Sequence, residues 1–268
     1  MERTPLLEKC SSRITVNGTT FGGGEFGWIA GPCAVENRAQ LKSCAETLRL
    51  CGIGVLRGGL FKPRTSVYSF QGLQAEGIAL AAEVKREFGL AFVSEVVDEA
   101  SLRGLLPVAD VLQIGSRNCL NYALLKAVGK CEKPVLLKRG FAVTMEEYLN
   151  AAEYLASAGC REILLCERGI RTVTEVTRFT LDLGGALWLK NNYPMPVIAD
   201  PSHAAGNSAL VPPLTLAAAA AGLDGVMLES APVPECTLCD SRQQLTLEQL
   251  RELKDQTDRI LKHCRGAK

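Results

Sequence analysis

The feature that most restricts this chain is a rhythm: short apolar runs alternate with helical patterns eight times. The runs are Trp28–Cys33, Ile53–Leu56, Leu90–Val96, Val111–Ile114, Pro134–Leu137, Ile163–Cys166, Pro196–Ala199 and Val226–Glu229. Half-exposed strands alternate apolar with polar residues; these do not, so they read as strands buried on both faces. The spacing predicts helices over Arg38–Leu50, Leu73–Phe88, Glu99–Leu105, Tyr122–Val128, Met145–Ser157, Glu175–Lys190 and Leu214–Ala221, with a last surface helix over Leu247–Lys262. Buried parallel strands require crossover connections. Eight such units in 268 residues predict the α/β class and a (β/α)8 TIM barrel. An open doubly wound sheet is the alternative, but no Gly-x-Gly-x-x-Gly follows the first run. Residues 1–26 read as an N-terminal extension with a hairpin or arm, and residues 27–268 as one barrel domain.

Composition narrows the function. The 30 basic and 29 acidic residues leave a net charge of +1, so no general basic field exists for nucleic acid or an anionic membrane. No segment reaches the roughly 18 uncharged apolar residues of a membrane span, and the N-terminus lacks the apolar core of a signal peptide. Eleven cysteines scattered through apolar segments read as reduced thiols of a cytoplasmic protein rather than as a disulfide framework.

Against that neutral background the stretch LRGGLFKPRTSVYSFQG, residues 56–72, concentrates Arg57, Lys62 and Arg64 with no intervening acid. Three fixed cations on one loop need anions, and a small molecule bearing one or two phosphates supplies them. In a barrel of this kind the active site lies at the C-terminal ends of the strands. Unusual polar residues end every run: Cys33 and Glu36, then Arg57, Lys62 and Arg64, then Glu95, then Arg117 and Asn118. The later runs end in Lys138 and Arg139, in Glu167, Arg168 and Arg171, in Asp200 and His203, and in Glu229 with Asp240 beyond. Cations outnumber acids in this set. Within it Cys33, His203, Glu229 and Asp240 offer a thiolate, an imidazole and two carboxylates, all competent ligands for a divalent metal. The ligand set suits manganese, iron, cobalt or zinc alike.

Several motifs, in one order, resemble those of the 3-deoxy-D-arabino-heptulosonate 7-phosphate (DAHP) synthases, type Iβ branch. They are GPCAVE (31–36), the stretch 56–72, QIGSRN (113–118), LLKRG (136–140), LCERGIRT (165–172) and DPSHAAG (200–206). The branch is also similar to the 3-deoxy-octulosonate 8-phosphate (KDO8P) synthases. The resemblance implies a metal-dependent, aldol-like condensation of phosphoenolpyruvate with erythrose 4-phosphate, which opens the shikimate route to aromatic compounds. It implies Cys33, His203, Glu229 and Asp240 as metal ligands, and Arg57, Lys62, Arg117, Lys138 and Arg168 on phosphoenolpyruvate. Pro63, Arg64, Thr65 and Ser66 would meet the aldose phosphate, with His203 also at the substrate. Lys62, Cys33 and His203 would take part in catalysis, with Glu95 and Lys138 as candidates for managing protons. It further implies a homotetramer or homodimer. With so short an extension before the first strand, feedback by aromatic amino acids is not expected.

Two other readings remain open. One is a KDO8P-like condensation with another aldose phosphate, though Lys62-Pro-Arg-Thr65 resembles the DAHP pattern. The other is a non-catalytic barrel that binds a phosphorylated metabolite. The chain departs from the family at Val67, where a proline is usual, and over residues 230–242, where Cys239-Asp240-Ser241 replaces Ser-Asp-Gly. The same segment contains a Cys-x-x-Cys motif, Cys236 and Cys239, a candidate redox pair with Cys33 as a further partner.

Overall fold

The computed structural model describes residues 4–64 and 66–266. A hairpin, β1 (Arg13–Val16) and β2 (Thr19–Gly22), precedes the barrel. Then follow β3 (Gly27–Gly31), α1 (Arg38–Leu50), β4 (Val55–Arg57), α2 (Gln74–Phe88), β5 (Ala91–Val96), α3 (Glu99–Leu105), β6 (Val111–Ile114) and α4 (Tyr122–Gly129). The second half runs β7 (Val135–Lys138), α5 (Met145–Ser157), β8 (Ile163–Glu167), α6 (Leu183–Asn192), β9 (Val197–Ala199), α7 (Pro201–Ala205), α8 (Val211–Ala220), β10 (Gly225–Glu229) and α9 (Leu247–Gly266). Strands β3 to β10 form a closed parallel barrel in sequence order, the (β/α)8 fold that the eight buried runs predict. Closure is made by β10 on β3, in register from Gly225 opposite Gly27 to Glu229 opposite Gly31.

The strands are apolar on both faces because each face meets a different core. Ala30, Leu56, Phe92, Leu112, Leu137, Leu165 and Leu228 face the helices. Ile29, Val55, Val93, Val111, Leu136, Leu164, Ile198 and Met227 fill the barrel interior. The hairpin completes that inner core: Ile14, Val16 and Phe21 join it beneath the strands. Asn17 and Gly18, both at positive φ (47° and 77°), make the tight turn that aligns β1 with β2. The N-terminal end of the barrel is thereby stoppered, and polar groups are left to the other end.

The helices depart from the sequence reading most clearly in the second half of the chain. The predicted helix over 175–190 begins only at Leu183, where Asp182 caps it by accepting the Gly185 amide at 2.8 Å. Residues 171–182 form a loop, pinned by a bridge between Ile170 and Thr180. Its β-branched run Thr172, Val173, Thr174, Val176 and Thr177 disfavours a helix. The motif at 200–206 also holds a helix of its own, α7, with Pro201 at its first position and Asp200 as its cap. Among the described residues, no helix is long and apolar enough to cross a membrane.

Candidate active site

The cluster is built outward from strand ends. Arg57 closes β4, Lys138 closes β7 and Glu229 closes β10, so backbone hydrogen bonding fixes the origin of each side chain. Cys33 follows β3, Asp200 follows β9 and Asp240 lies on the loop after β10. Of these, Arg57, Lys138 and Asp240 border a cavity of about 280 Å³, lined also by Lys62, Pro63, Arg64, Ser66, Glu95, Arg117, Arg168, Arg178 and His203 among others. Seven cations face it against two carboxylates, in a protein of net charge +1. Thr65 lies outside the described residues.

Not every polar strand end points inward. Arg139 turns away to Glu167 (2.9 Å) and Asp182 (2.9 Å), Asn118 donates to the Val97 carbonyl, and Arg171 stacks on Phe141. The reason is the pleat: neighbouring residues of a strand face opposite sides, so Lys138 enters the cavity and Arg139 cannot. Glu36 is likewise taken up by the backbone, accepting the Leu238 amide at 2.8 Å. Sequence reasoning missed Arg178, which sits in the irregular loop where a helix was expected. It lies 3.5 Å from Asp240 and donates to Gln243 at 3.1 Å. Phe179, also missed, carries the Arg168 guanidinium on its face, 4.4 Å from the ring centre.

The buried guanidiniums are the most demanding groups. Arg57 and Arg168 are 4% and 5% exposed. Nε and Nη1 of each have no hydrogen-bond partner, although Arg57 Nη2 stands 2.9 Å from Glu229 Oε1. A buried charge with idle donors is costly unless an anion meets it. Burial pulls the Arg168 pKa down, only partly countered by Asp200. For Lys62, burial is outweighed by Cys33, Glu95 and Cys239, which push its pKa up.

Asp200 organises the opposite wall. Its Oδ1 accepts the His203 amide at 3.0 Å, and its Oδ2 pairs with Lys138 Nζ and lies 2.8 Å from His203 Nδ1. Burial works against the Asp200 charge, but His203 and Lys138 more than offset it and hold its carboxyl well below the usual range. The imidazole is thereby turned so that Nε2 faces Glu229 Oε1 at 3.5 Å and Asp240 Oδ2 at 3.9 Å. Burial pulls the His203 pKa down, which favours the neutral, ligating form. Cys33 Sγ lies 3.3 Å from Asp240 Oδ2 and accepts from Lys62 Nζ at 3.3 Å. Donors of His203, Glu229 and Asp240 fall within 4.8 Å of one another, as do those of Cys33, Cys239 and Asp240. An imidazole, thiols and carboxylates gathered in so small a volume form a donor set that fits one divalent ion. Asp240 adopts a left-handed backbone (φ 51°), a conformation Asp tolerates better than most residues.

The cysteines correct a sequence expectation. Cys33 is fully buried, and its thiol is pushed up by its hydrogen bond with Cys239 and then by burial. Cys239 is pulled down by the same bond. Cys236 is exposed, so the Cys-x-x-Cys motif does not form a pair pointing one way.

Comparison with known proteins agrees with this geometry. The profile of the DAHP synthetase I family matches residues 11–264. The chain is 45% identical over 240 residues to the phospho-2-dehydro-3-deoxyheptonate aldolase of Thermotoga maritima, covering 90% of this chain and 71% of that protein. It is 33% identical over 258 residues to a 2-dehydro-3-deoxyphosphooctonate aldolase of Syntrophotalea carbinolica, covering 89% and 92%. The crystal structure of the Thermotoga DAHP synthase superposes with a TM-score of 0.91 at 42% identity, over 94% of this chain and 74% of that one. A truncated form of that enzyme gives 0.88 at 39% identity, over 94% and 93%. Motifs, barrel and relatives converge, and the chain belongs to the DAHP synthetase I family.

Proposed function

We propose that this chain condenses phosphoenolpyruvate with erythrose 4-phosphate and water, giving DAHP and inorganic phosphate with the help of one divalent metal ion. The observation that carries the reading is the pair of buried arginines, Arg57 and Arg168, which line a cation-rich cavity and keep N–H groups without hydrogen-bond partners. A substrate with a carboxylate and a phosphate satisfies both.

In this reading Arg57, Arg117, Lys138 and Arg168 hold phosphoenolpyruvate, and Pro63, Arg64, Thr65 and Ser66 meet the aldose phosphate. Bringing two phosphorylated molecules together is opposed by their mutual repulsion, and the cations offset it before reaction. A divalent ion held by Cys33, His203, Glu229 and Asp240 would polarise the aldehyde as a Lewis acid. Lys62, between Cys33 and the cavity, stabilises negative charge as the new carbon–carbon bond forms from C3 of the enol. Water then adds at C2 and the C2–oxygen bond to phosphate breaks. Glu95 accepts the proton that this water loses, while Lys138 supplies positive charge to the departing phosphate. The enzyme fits the cytoplasm as a homo-oligomer. Exposed Val67, Tyr68, Val173 and Val176 on two loops beside the site support a surface for a second copy.

The test is release of inorganic phosphate with phosphoenolpyruvate and either erythrose 4-phosphate or arabinose 5-phosphate. Turnover is expected with the four-carbon aldose; turnover with the five-carbon sugar alone would sink the reading. Chelation should abolish activity and a divalent ion should restore it. Cys33→Ser and His203→Ala should each lower turnover at least about 100-fold, since a direct ligand matters no less than its outer partners. Circular dichroism should show the barrel intact.

A further inference from the structure

One buried side chain in the site has no role so far. Cys239 precedes Asp240, is 1% exposed, and holds its Sγ 3.1 Å from Cys33 Sγ. Asp240 belongs to both donor groups, one with the two cysteines and one with His203 and Glu229. The two groups are therefore one cluster, and it contains two sulfurs.

We propose that Cys239 is a second sulfur ligand of the ion held by Cys33, His203 and the neighbouring carboxylates, and that the site selects zinc or cobalt over manganese. The inference rests on the metal-site reading above and adds one donor to it.

Four observations carry it. The loop is fixed with Cys239 inward: Gln244 Nε2 donates to the Cys239 carbonyl at 2.7 Å and to Thr237 Oγ1 at 2.9 Å. Its neighbour Leu238 is turned outward, so the inward cysteine is specific to its position. The spacing also suits a shared ion. A tetrahedral zinc with sulfur bonds of about 2.3 Å holds its two sulfurs roughly 3.8 Å apart, so the pair need open by less than about an ångström. Charge is matched as well, because each sulfur has its own cation: Lys62 Nζ at 3.3 Å from Cys33 and Arg64 Nη1 at 2.6 Å from Cys239. Finally, Glu229 Oε2 already accepts from Gln243 Nε2 at 2.7 Å, and its Oε1 is ion-paired with Arg57 at 2.9 Å without a hydrogen bond, which weakens it as a donor. A second thiolate supplies what Glu229 gives less freely, and thiolates favour softer ions.

The experiment uses the full chain, stripped of metal and reloaded with Co(II) or Zn(II). Sulfur-to-cobalt charge transfer in the near ultraviolet should fall by about half in Cys239→Ser, while the visible cobalt bands persist. Zinc-edge X-ray absorption of the unmodified protein should count two sulfur neighbours, a result independent of how any variant folds. By competition titration, Cys239→Ser should bind zinc at least about tenfold more weakly while manganese affinity changes little. One sulfur neighbour, with an unchanged charge-transfer band in the variant, would overturn the proposal and leave the four-residue site standing. Absence of both cobalt bands and stoichiometric zinc would overturn the two together.

Discussion

At the scale of single residues, the site depends on side chains that are buried without being apolar. Asp200 shows how: one carboxylate caps α7, orients His203 and pairs with Lys138, so one residue aligns a side chain of a helix with one at a strand end. Glu95 is held by space instead. A Cβ built on Gly115 would stand 1.9 Å from Glu95 Oε1, so glycine there leaves room for the carboxylate. Gly115 has φ −73°, which any residue adopts, so the backbone does not demand glycine. Gly115→Ala should therefore fold with an unchanged melting temperature while displacing Glu95. If Glu95 handles the proton of the attacking water, kcat should fall by about 100-fold, within the range for general acid–base groups, with KM for phosphoenolpyruvate little changed. Steady-state kinetics beside a melting curve would check this; normal kcat would remove Glu95 from the chemistry.

At the scale of elements, short helices survive because their ends are satisfied. The seven-residue α3 is bracketed by a capping box in which Asp98 Oδ1 accepts the Ser101 amide at 2.7 Å and Ser101 Oγ accepts the Asp98 amide at 3.0 Å. These hydrogen bonds from Ser101 pull the Asp98 pKa below its ordinary 3.8. A depressed carboxyl contributes stability above its unfolded pKa and loses it as pH falls through the folded one. Asp98→Ala should cost about 1 kcal/mol at pH 7. The gap from the parent protein should close as the pH drops below about 4. Urea unfolding at pH 7 and pH 3 measures both points, and a gap that widened in acid would contradict the cap. The long loop before α6 makes the complementary case: β-branched residues deny it a helix, and Arg178 and Phe179 reach the cavity because of it.

At the scale of the whole molecule, the two ends of the barrel are specialised. The N-terminal end is filled by apolar side chains and the β1–β2 hairpin, the C-terminal end by cations. Phe21 is the hairpin's anchor, 1% exposed within the inner core. Phe21→Ala should destabilise the fold by about 3–5 kcal/mol. Since Phe21 packs at the far end from the cavity, KM for phosphoenolpyruvate should not move in native buffer. Urea titration with parallel kinetics separates the two effects; a loss below about 1 kcal/mol would mean the hairpin is not part of the inner core.

The barrel was legible in the residues because a strand covered on both faces must be apolar at consecutive positions, which the runs at Val111–Ile114 and Ile163–Cys166 display directly. Arg57, Lys62, Lys138 and Arg168 were legible because strand ends and their loops are where a barrel puts chemistry. Local pattern says nothing about which neighbour faces inward, so Lys138 and Arg139 looked alike until the pleat separated them. It overcalled a helix across Arg178, where β-branched residues and the Asp182 cap prevail. Cys239 became a candidate partner of Cys33, 206 residues away in the chain, only through the inferred barrel, because that contact exists only once β10 closes on β3. Chemistry carried by one strand end follows from order along the chain, whereas chemistry shared between distant loops follows from barrel closure, which no local pattern encodes.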